Sequence, residues 1–554
     1  MKNIKKIIIE EFSQDFNYNN NKSKLSFSFN RTSFILFIFF LIFLTFSLKI
    51  IYLGSIKFDN KNEILIKPNF RSDILDRNGQ LIAKSVLTKN IGINPKHVVD
   101  KDKLLINLKL IFPDKDFDSI KKKLNGNKFF YIEKKIKPND YEKIFLLGDK
   151  SLKEEVKITR IYPQSSLLSH ILGQIDEDNK GISGIEKSHD YELRTSKNPL
   201  VLTVDTNIQH LIKQELIFFE DIFNFKGSSS ILMNIHSGEV LSMVSLPDFN
   251  LNKRNEIIDL NFINRATKGV YEFGSVFKTF TFAAALQEKK IDLDTKFEKL
   301  EKKIWCAGNP ISEYDYDIPS TLTAEEILIR SGNIGTVRIA QKLGINLYRD
   351  FLKNLGLLQK LDFDINEVGT PESLSWGKCK LATTSFGHGI STTLMNLAKA
   401  YSIISNGGIL VEPTLLKKNK LKLKKKRILD EKVSNQINQV LRKVVSSKEG
   451  TAGFANIPGY QVGGKTGTAQ KAFNGKYTNE KVNTFVSIFP SSKPKFILLV
   501  LLDEPKPNKE YIYEYKDGSG FRYKGNWRNT AGWTSVEVAG KIIEKIGPIL
   551  ATKY

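Results

Sequence analysis

The sequence predicts an α/β (α+β) fold at its C-terminal end, an antiparallel sheet flanked by helices, preceded by a single transmembrane helix and an extended pedestal domain. Three observations carry that expectation. One uncharged apolar run lies near the N-terminus. Strand-like segments sit at both ends of the last part of the chain and enclose a mostly helical insert. Three short strings, Ser275-Val276-Phe277-Lys278, Ser331-Gly332-Asn333 and Lys465-Thr466-Gly467-Thr468, occur there in that order. At 554 residues the chain exceeds one ordinary core, so two or three domains are expected.

The apolar run reads Thr32 to Leu48 without a charge and resumes after Lys49 through Leu53. About 20 such residues span a bilayer core as a helix. A cleaved signal peptide would have a shorter apolar stretch followed by small residues, whereas here Leu48-Lys49-Ile50-Ile51 follows. The preceding tail carries Lys2, Lys5, Lys6, Lys22, Lys24 and Arg31 against Glu10, Glu11 and Asp15, which keeps it cytoplasmic. The expectation is a cytoplasmic tail at 1–32, a single-pass anchor at 33–53 in the inner membrane, and the remainder on its outer, periplasmic side.

Residues 54–199 alternate short apolar runs with charged stretches and hold no cluster suited to catalysis. Asp76 to Gly79 is a turn signal between two apolar stretches and suggests a hairpin, with a structural use for Asp73 and Asp76. Arg160-Ile161-Tyr162-Pro163 and Gly181 to Glu186 read as loops. This part is expected to be a non-catalytic pedestal.

From residue 200 to 554 the pattern is that of a second domain. Asp205 or Thr206 can cap a helix ending near Phe223. Ser230–Ile235 and Val240–Ser245 read as strands joined by a turn at His236-Ser237-Gly238-Glu239. Tyr460–Gln470, Thr484–Phe489 and Phe496–Leu502 give three more strands, and a final helix runs over Ser535–Leu550.

The net charge of +24 comes from lysines scattered along the chain. The densest run, Lys417 to Arg427, has no aromatic residues for base stacking, so nucleic acid is not expected as a partner. Contact with an anionic membrane or wall polymer is the lesser alternative to a solvated loop. Two cysteines, Cys306 and Cys379, form no framework; they can pair in an oxidising compartment only if their Cα atoms lie close. Six histidines without ligand spacing predict no metal, and nothing calls for a cofactor.

The three strings supply complementary chemistry. Gly274 ahead of Ser275 permits a sharp turn, placing Ser275 at a helix start with Lys278 one turn on. A serine hydroxyl needs a neighbour to take its proton, and a buried lysine with a depressed pKa can do so. Ser331 and Asn333 fall in a short loop between helices, where a hydroxyl can relay protons and an amide can hold the lysine and a substrate carbonyl. Lys465 adds positive charge on a strand, Thr466 and Thr468 offer hydroxyls to a carboxylate, and Gly467 leaves room for a substrate along the strand. The backbone N–H groups of Ser275 and Thr468 can form an oxyanion hole. Each string alone has an ordinary use: an amphipathic helix with a surface lysine, a helix N-cap, or a glycine-rich strand end. Their ordered combination favours serine acyl transfer.

On these strings the chain resembles the class B penicillin-binding proteins, with a serine transpeptidase/β-lactamase-like domain. Arg71 to Ala83, Gly181 to Glu186, Gly238-Glu239-Val240-Leu241, Gly407-Gly408 with Pro413, and Val462 to Gln470 share the likeness. Tyr271-Glu272-Phe273-Gly274-Ser275, Leu502-Asp503-Glu504-Pro505 and Thr530-Ala531-Gly532-Trp533 resemble the septal, FtsI-like branch in its alphaproteobacterial form. Phe273 stands where many relatives carry Pro, and His388 where Gln is common; both could alter antibiotic affinity. No glycosyltransferase module precedes the pedestal, unlike the class A type.

The resemblance implies D,D-transpeptidation of peptidoglycan stem peptides during septum synthesis. Ser275, Lys278, Ser331 and Asn333 would be catalytic, and Lys465, Thr466, Gly467 and Thr468 would bind substrate. It also implies inhibition by β-lactam antibiotics and partnership with an FtsW-type septal glycosyltransferase and other division proteins. The alternatives are an elongation-type class B transpeptidase, a non-catalytic divisome scaffold, or a β-lactam sensor.

Overall fold

A computed structural model describes residues 22–55, 70–253, 262–417, 426–473, 476–516 and 518–554. The part of the tail before Lys22 and most of the basic run after Lys417 lie outside the described residues. The chain divides into two units, 1–69 and 70–554.

Among its described residues the first unit contains one helix, Lys22–Ser55. Within it Ser33–Tyr52 is long and apolar enough to cross a membrane, with a mean hydropathy of 2.7. Phe34, Ile35, Leu36 and Phe37 are all exposed. Four consecutive positions about 100° apart place apolar surface all round the helix, as lipid contact demands.

The second unit opens with the expected hairpin. Ile74–Leu75 pairs antiparallel with the long strand Leu81–Ile93, and in parallel with Leu200–Val201. In the turn, Asp76 Oδ1 accepts the N–H groups of Asn78 and Gln80, both at 2.8 Å. Asp76 Oδ2 accepts the hydroxyl of Thr206 at the start of the Thr206–Phe223 helix. Its use is therefore structural, as expected.

Leu81–Ile93 pairs along most of its length with Leu152–Ile161 and at its far end with Phe130–Glu133. Three helices, Lys101–Ile111, Phe117–Leu124 and Pro138–Leu146, complete a lobe with its own small core around Ile91, Leu104, Leu108 and Leu124. At the other end of the long strand, Ile74, Ile82, Leu168 and Ile185 belong to the large core that continues through the C-terminal sheet.

Two stretches expected as loops are otherwise. Arg160 and Ile161 end the Leu152–Ile161 strand, and Glu186 lies in the short helix Gly184–Ser188. The reason is a buried charge cluster. Glu186, fully buried, accepts Arg71 Nε and Arg160 Nε, each at 2.8 Å, and the Tyr162 hydroxyl at 3.2 Å. Arg71 Nη1 also reaches Asp190 Oδ1 at 2.5 Å.

The main sheet has five antiparallel strands in the order Gly463–Phe473, Lys476–Phe489, Phe496–Asp503, Gly227–Asn234 and Val240–Leu246. It is built from both ends of the domain, as expected. Every residue of Phe496–Asp503 is buried, so both sheet faces are covered. Thr206–Phe223 and Ser535–Lys553 pack together against it, and the helical insert supplies the remaining cover. The second strand starts eight residues before the expected Thr484. Its first residues project as a ribbon beyond the core, so they lack the apolar pattern that marks a strand.

Cys306 and Cys379 are joined by a disulfide, with Cα atoms 5.8 Å apart. The bridge ties the hairpin Lys303–Cys306/Asn309–Ser312 to the residue before the Lys380–Ser385 helix. The segment 505–529 contains a second small hairpin, Ile512–Glu514 with Arg522–Lys524.

Candidate active site

Ser275 sits in a 3-10 turn, Gly274–Phe277, that runs straight into the helix Lys278–Gln287. Gly274 has φ +58°, and a Cβ there would lie 2.5 Å from the Thr468 carbonyl oxygen. Only glycine makes this turn against the strand. Phe277, Phe280, Phe282 and Leu286 are all buried, so the helix is central and Lys278 is carried inside with it. The surface-lysine alternative falls away, since Lys278 is 1% exposed.

Ser331 and Gly332 lie between the helices Ala324–Ile329 and Asn333–Leu343, while Asn333, expected in the loop, opens the second helix. Ser331 adopts φ +58°, a left-handed conformation uncommon outside glycine. Neither Ser331 nor Asn333 caps the following helix with its side chain. Glu313 does so instead, accepting Asn333 N at 2.6 Å and Ile334 N at 2.8 Å. Both side chains of the string are thereby released toward Lys278.

Lys278 Nζ donates to the Ser331 carbonyl at 2.5 Å and to Asn333 Oδ1 at 2.7 Å, with Ser331 Oγ at 3.2 Å. Lys465 Nζ reaches Ser331 Oγ at 2.9 Å and the Thr466 carbonyl at 3.1 Å. Ser331 thus joins the two amines. Burial pushes the Lys278 ammonium down to about 7, against the opposing pull of Glu313. Burial, with the charge of Lys278 added, holds Lys465 well below the usual lysine range.

The cleft beside Ser275 has a volume of about 630 Å³, and Ser331, Asn333, Thr466 and Thr468 share its lining with an aromatic wall that includes Tyr515 and Trp533. Side chains alternate along a strand. Thr466 and Thr468 face the cleft, whereas Lys465 is fully buried and does not line it. Its charge reaches the cleft through Ser331. The structure also places a further demand on Gly467: a Cβ would sit 2.1 Å from the Phe273 carbonyl oxygen and 2.9 Å from Val276 Cγ1. The absent side chain lets the serine turn rest on the strand. Thr466 Oγ1 pairs with Thr451 Oγ1 at 2.8 Å, and Thr468 Oγ1 accepts Ala531 N at 3.0 Å.

Phe273 is fully buried behind Ser275. His388 stacks on Tyr477 at 4.5 Å at the cleft edge, and Tyr477 donates to Glu272 at 3.0 Å. Glu313 and Thr451 were not legible as site residues. Neither belongs to a local motif, and each reaches the site only through the tertiary fold.

A serine on a helix-start turn, a buried amine of low proton affinity and a hydroxyl relay can together run serine acyl transfer. The family described as penicillin binding protein transpeptidase domain matches residues 229–519. The penicillin-binding protein dimerisation domain matches 66–215. The chain belongs to the penicillin-binding protein transpeptidase family.

Among its relatives, the probable peptidoglycan D,D-transpeptidase FtsI of Caulobacter vibrioides is 30% identical over 497 residues, covering 87% of this chain and 82% of its own length. The peptidoglycan D,D-transpeptidase FtsI of Escherichia coli is 27% identical, over 80% of each chain. The crystal structure of a peptidoglycan synthetase from Bifidobacterium adolescentis has the same fold, with a TM-score of 0.64 at 20% identity, covering 87% of this chain and 95% of that one.

Proposed function

We propose that this chain cross-links peptidoglycan stem peptides by serine acyl transfer, as a septal D,D-transpeptidase. The observation that carries the reading is the hydrogen bonding of Lys278. A neutral amine spends two N–H bonds on the Ser331 carbonyl and Asn333 Oδ1, which leaves its lone pair to take the proton of Ser275. Ser275 Oγ then attacks the penultimate D-Ala carbonyl. The N–H groups of Ser275 and Thr468 hold the oxyanion, each such donor contributing about 3 kcal/mol. Collapse breaks the peptide bond, and terminal D-Ala leaves with a proton passed through Lys278 and Ser331. The amine of a neighbouring stem next attacks the acyl-enzyme and frees Ser275. Thr466 and Thr468 receive the substrate carboxylate, with Lys465 supplying charge from behind. β-Lactams enter as donor mimics and remain on Ser275.

In this reading residues 1–32 are cytoplasmic, 33–53 cross the inner membrane, 54–199 form the pedestal and 200–554 the periplasmic transpeptidase domain. An FtsW-type glycosyltransferase is the expected membrane partner. Labelling the full chain with a fluorescent penicillin should yield a long-lived adduct that peptide mass mapping assigns to Ser275. An adduct on another residue overturns the assignment, and rapid drug release favours a hydrolase. A tagged copy should gather at the division site; even distribution along the side wall favours the elongation alternative.

The sign of the pH dependence follows from Lys278. Its neutral form does the work, and that form gains population as pH rises through about 7. Acylation rates should climb across that pH and level off above it. A rate that falls over the same interval contradicts a lysine base.

A further inference from the structure

Glu313 leaves the second strand of the disulfide-tied hairpin and turns its carboxylate into the protein, 6% exposed. Its two oxygens take the first free N–H groups of the Asn333–Leu343 helix, those of Asn333 and Ile334. The neighbouring Ser312 carbonyl accepts Asn333 Nδ2 at 2.8 Å. Because that carbonyl can only accept, the amide is fixed with Oδ1 toward Lys278. Asn333 is thus gripped at its backbone and at its amide nitrogen by two consecutive residues. Its amide oxygen is thereby held toward the Lys278 amine.

We propose that Glu313 is a positioning residue for acyl transfer, which holds Asn333 against Lys278 and supplies the negative charge that the two buried lysines lack. The inference rests on the reading of Ser275 and Lys278 as the reacting pair.

The charges around Lys278 are few among the described residues. Lys465 approaches from the edge strand and Glu313 from the hairpin exit. The phenols packed on the same helix, Tyr348 and Tyr401, are pushed by burial far above their usual range and stay neutral. Glu313 is therefore the carboxylate that opposes desolvation of the Lys278 ammonium. Removing its charge leaves burial unopposed, so Lys278 loses its proton at lower pH. Releasing Asn333 removes an acceptor that orients the amine.

The two effects separate in one experiment, the rate of penicillin acylation of the full chain followed against pH. In Glu313→Gln the midpoint of the rising limb should move acidward by roughly one unit, as loss of a nearby opposite charge requires. The plateau should fall by roughly ten- to a hundredfold, as misplacement of a reacting group does. Glu313→Asp keeps the charge on a shorter arm, so its midpoint should stay near that of the natural chain while its plateau remains low.

A midpoint reports the protonation of folded molecules alone, so partial unfolding does not move it. A Glu313→Gln midpoint equal to that of the natural chain overturns the proposal. If the glutamine chain does not fold, Glu313→Asp carries the test, and either a shifted midpoint or an undiminished plateau overturns it. An adduct mapped away from Ser275 defeats the reading of the reacting pair. An adduct on Ser275 with an unmoved midpoint defeats only the role of Glu313.

Discussion

Lys278→Met should slow acylation of Ser275 by about a thousandfold or more, the size of a lost general base. It should also abolish the rise of the rate through neutral pH. Methionine matches the length of the lysine stem and carries no ammonium, so the buried helix keeps its packing. The change leaves Asn333 Oδ1 and the Ser331 carbonyl without their donor while removing the cost of a desolvated charge. Those effects oppose each other, and the melting temperature should stay within a few degrees of the natural chain. Time courses of fluorescent penicillin labelling at several pH values, with melting curves on the same samples, measure both. A variant that acylates within tenfold of the natural rate would remove Lys278 from the mechanism.

The second large effect lies far from the cleft along the chain. Glu186→Ala should destabilise the protein by about 3–5 kcal/mol, because it strands two buried guanidiniums whose main counter-charge was that carboxylate. Asp190 remains beside Arg71 but is partly exposed, and it does not reach Arg160. Replacing Arg71, Arg160 and Glu186 together by apolar residues of similar volume should cost much less than the single change. Chemical denaturation of the detergent-solubilised chain, checked by limited proteolysis, compares the two. A single variant within about 1 kcal/mol of the natural protein would show that the cluster is not what fixes this region.

The parts of this protein that could be read in advance are those whose signal is local. The anchor is a composition, the Thr206–Phe223 helix announces itself by its Asp205 cap, and the strand Phe496–Asp503 is a short apolar run. The strand Gly227–Asn234, by contrast, begins three residues before the expected Ser230 because its first residues are glycine and serine. The three strings were legible for the same reason, each being a few consecutive residues. What escaped depends on partners far apart in sequence. Glu186 looked like part of a glycine-punctuated loop because Arg71 lies 115 residues away. Glu313 sits 20 residues from the backbone it caps, with no pattern to connect them. Lys465 belonged to a legible motif, yet its burial beneath Ser331 depends on a contact across 134 residues. Gly467 was expected to make room for a ligand, and the structure shows the serine turn occupying part of that room.

The bridge between Cys306 and Cys379 joins positions 73 apart in sequence, and both Glu313 and the Ser331 string lie inside that loop. Closing a loop of this length restricts the unfolded chain by an amount on the order of 4 kcal/mol. The restriction exists only where thiols are oxidised. A polypeptide still in a reducing compartment would fold the hairpin and the Lys380–Ser385 helix without that tether. The maturation of this segment is therefore coupled to the redox chemistry of its surroundings, because closing the bridge passes two electrons and two protons from the thiols to an oxidant.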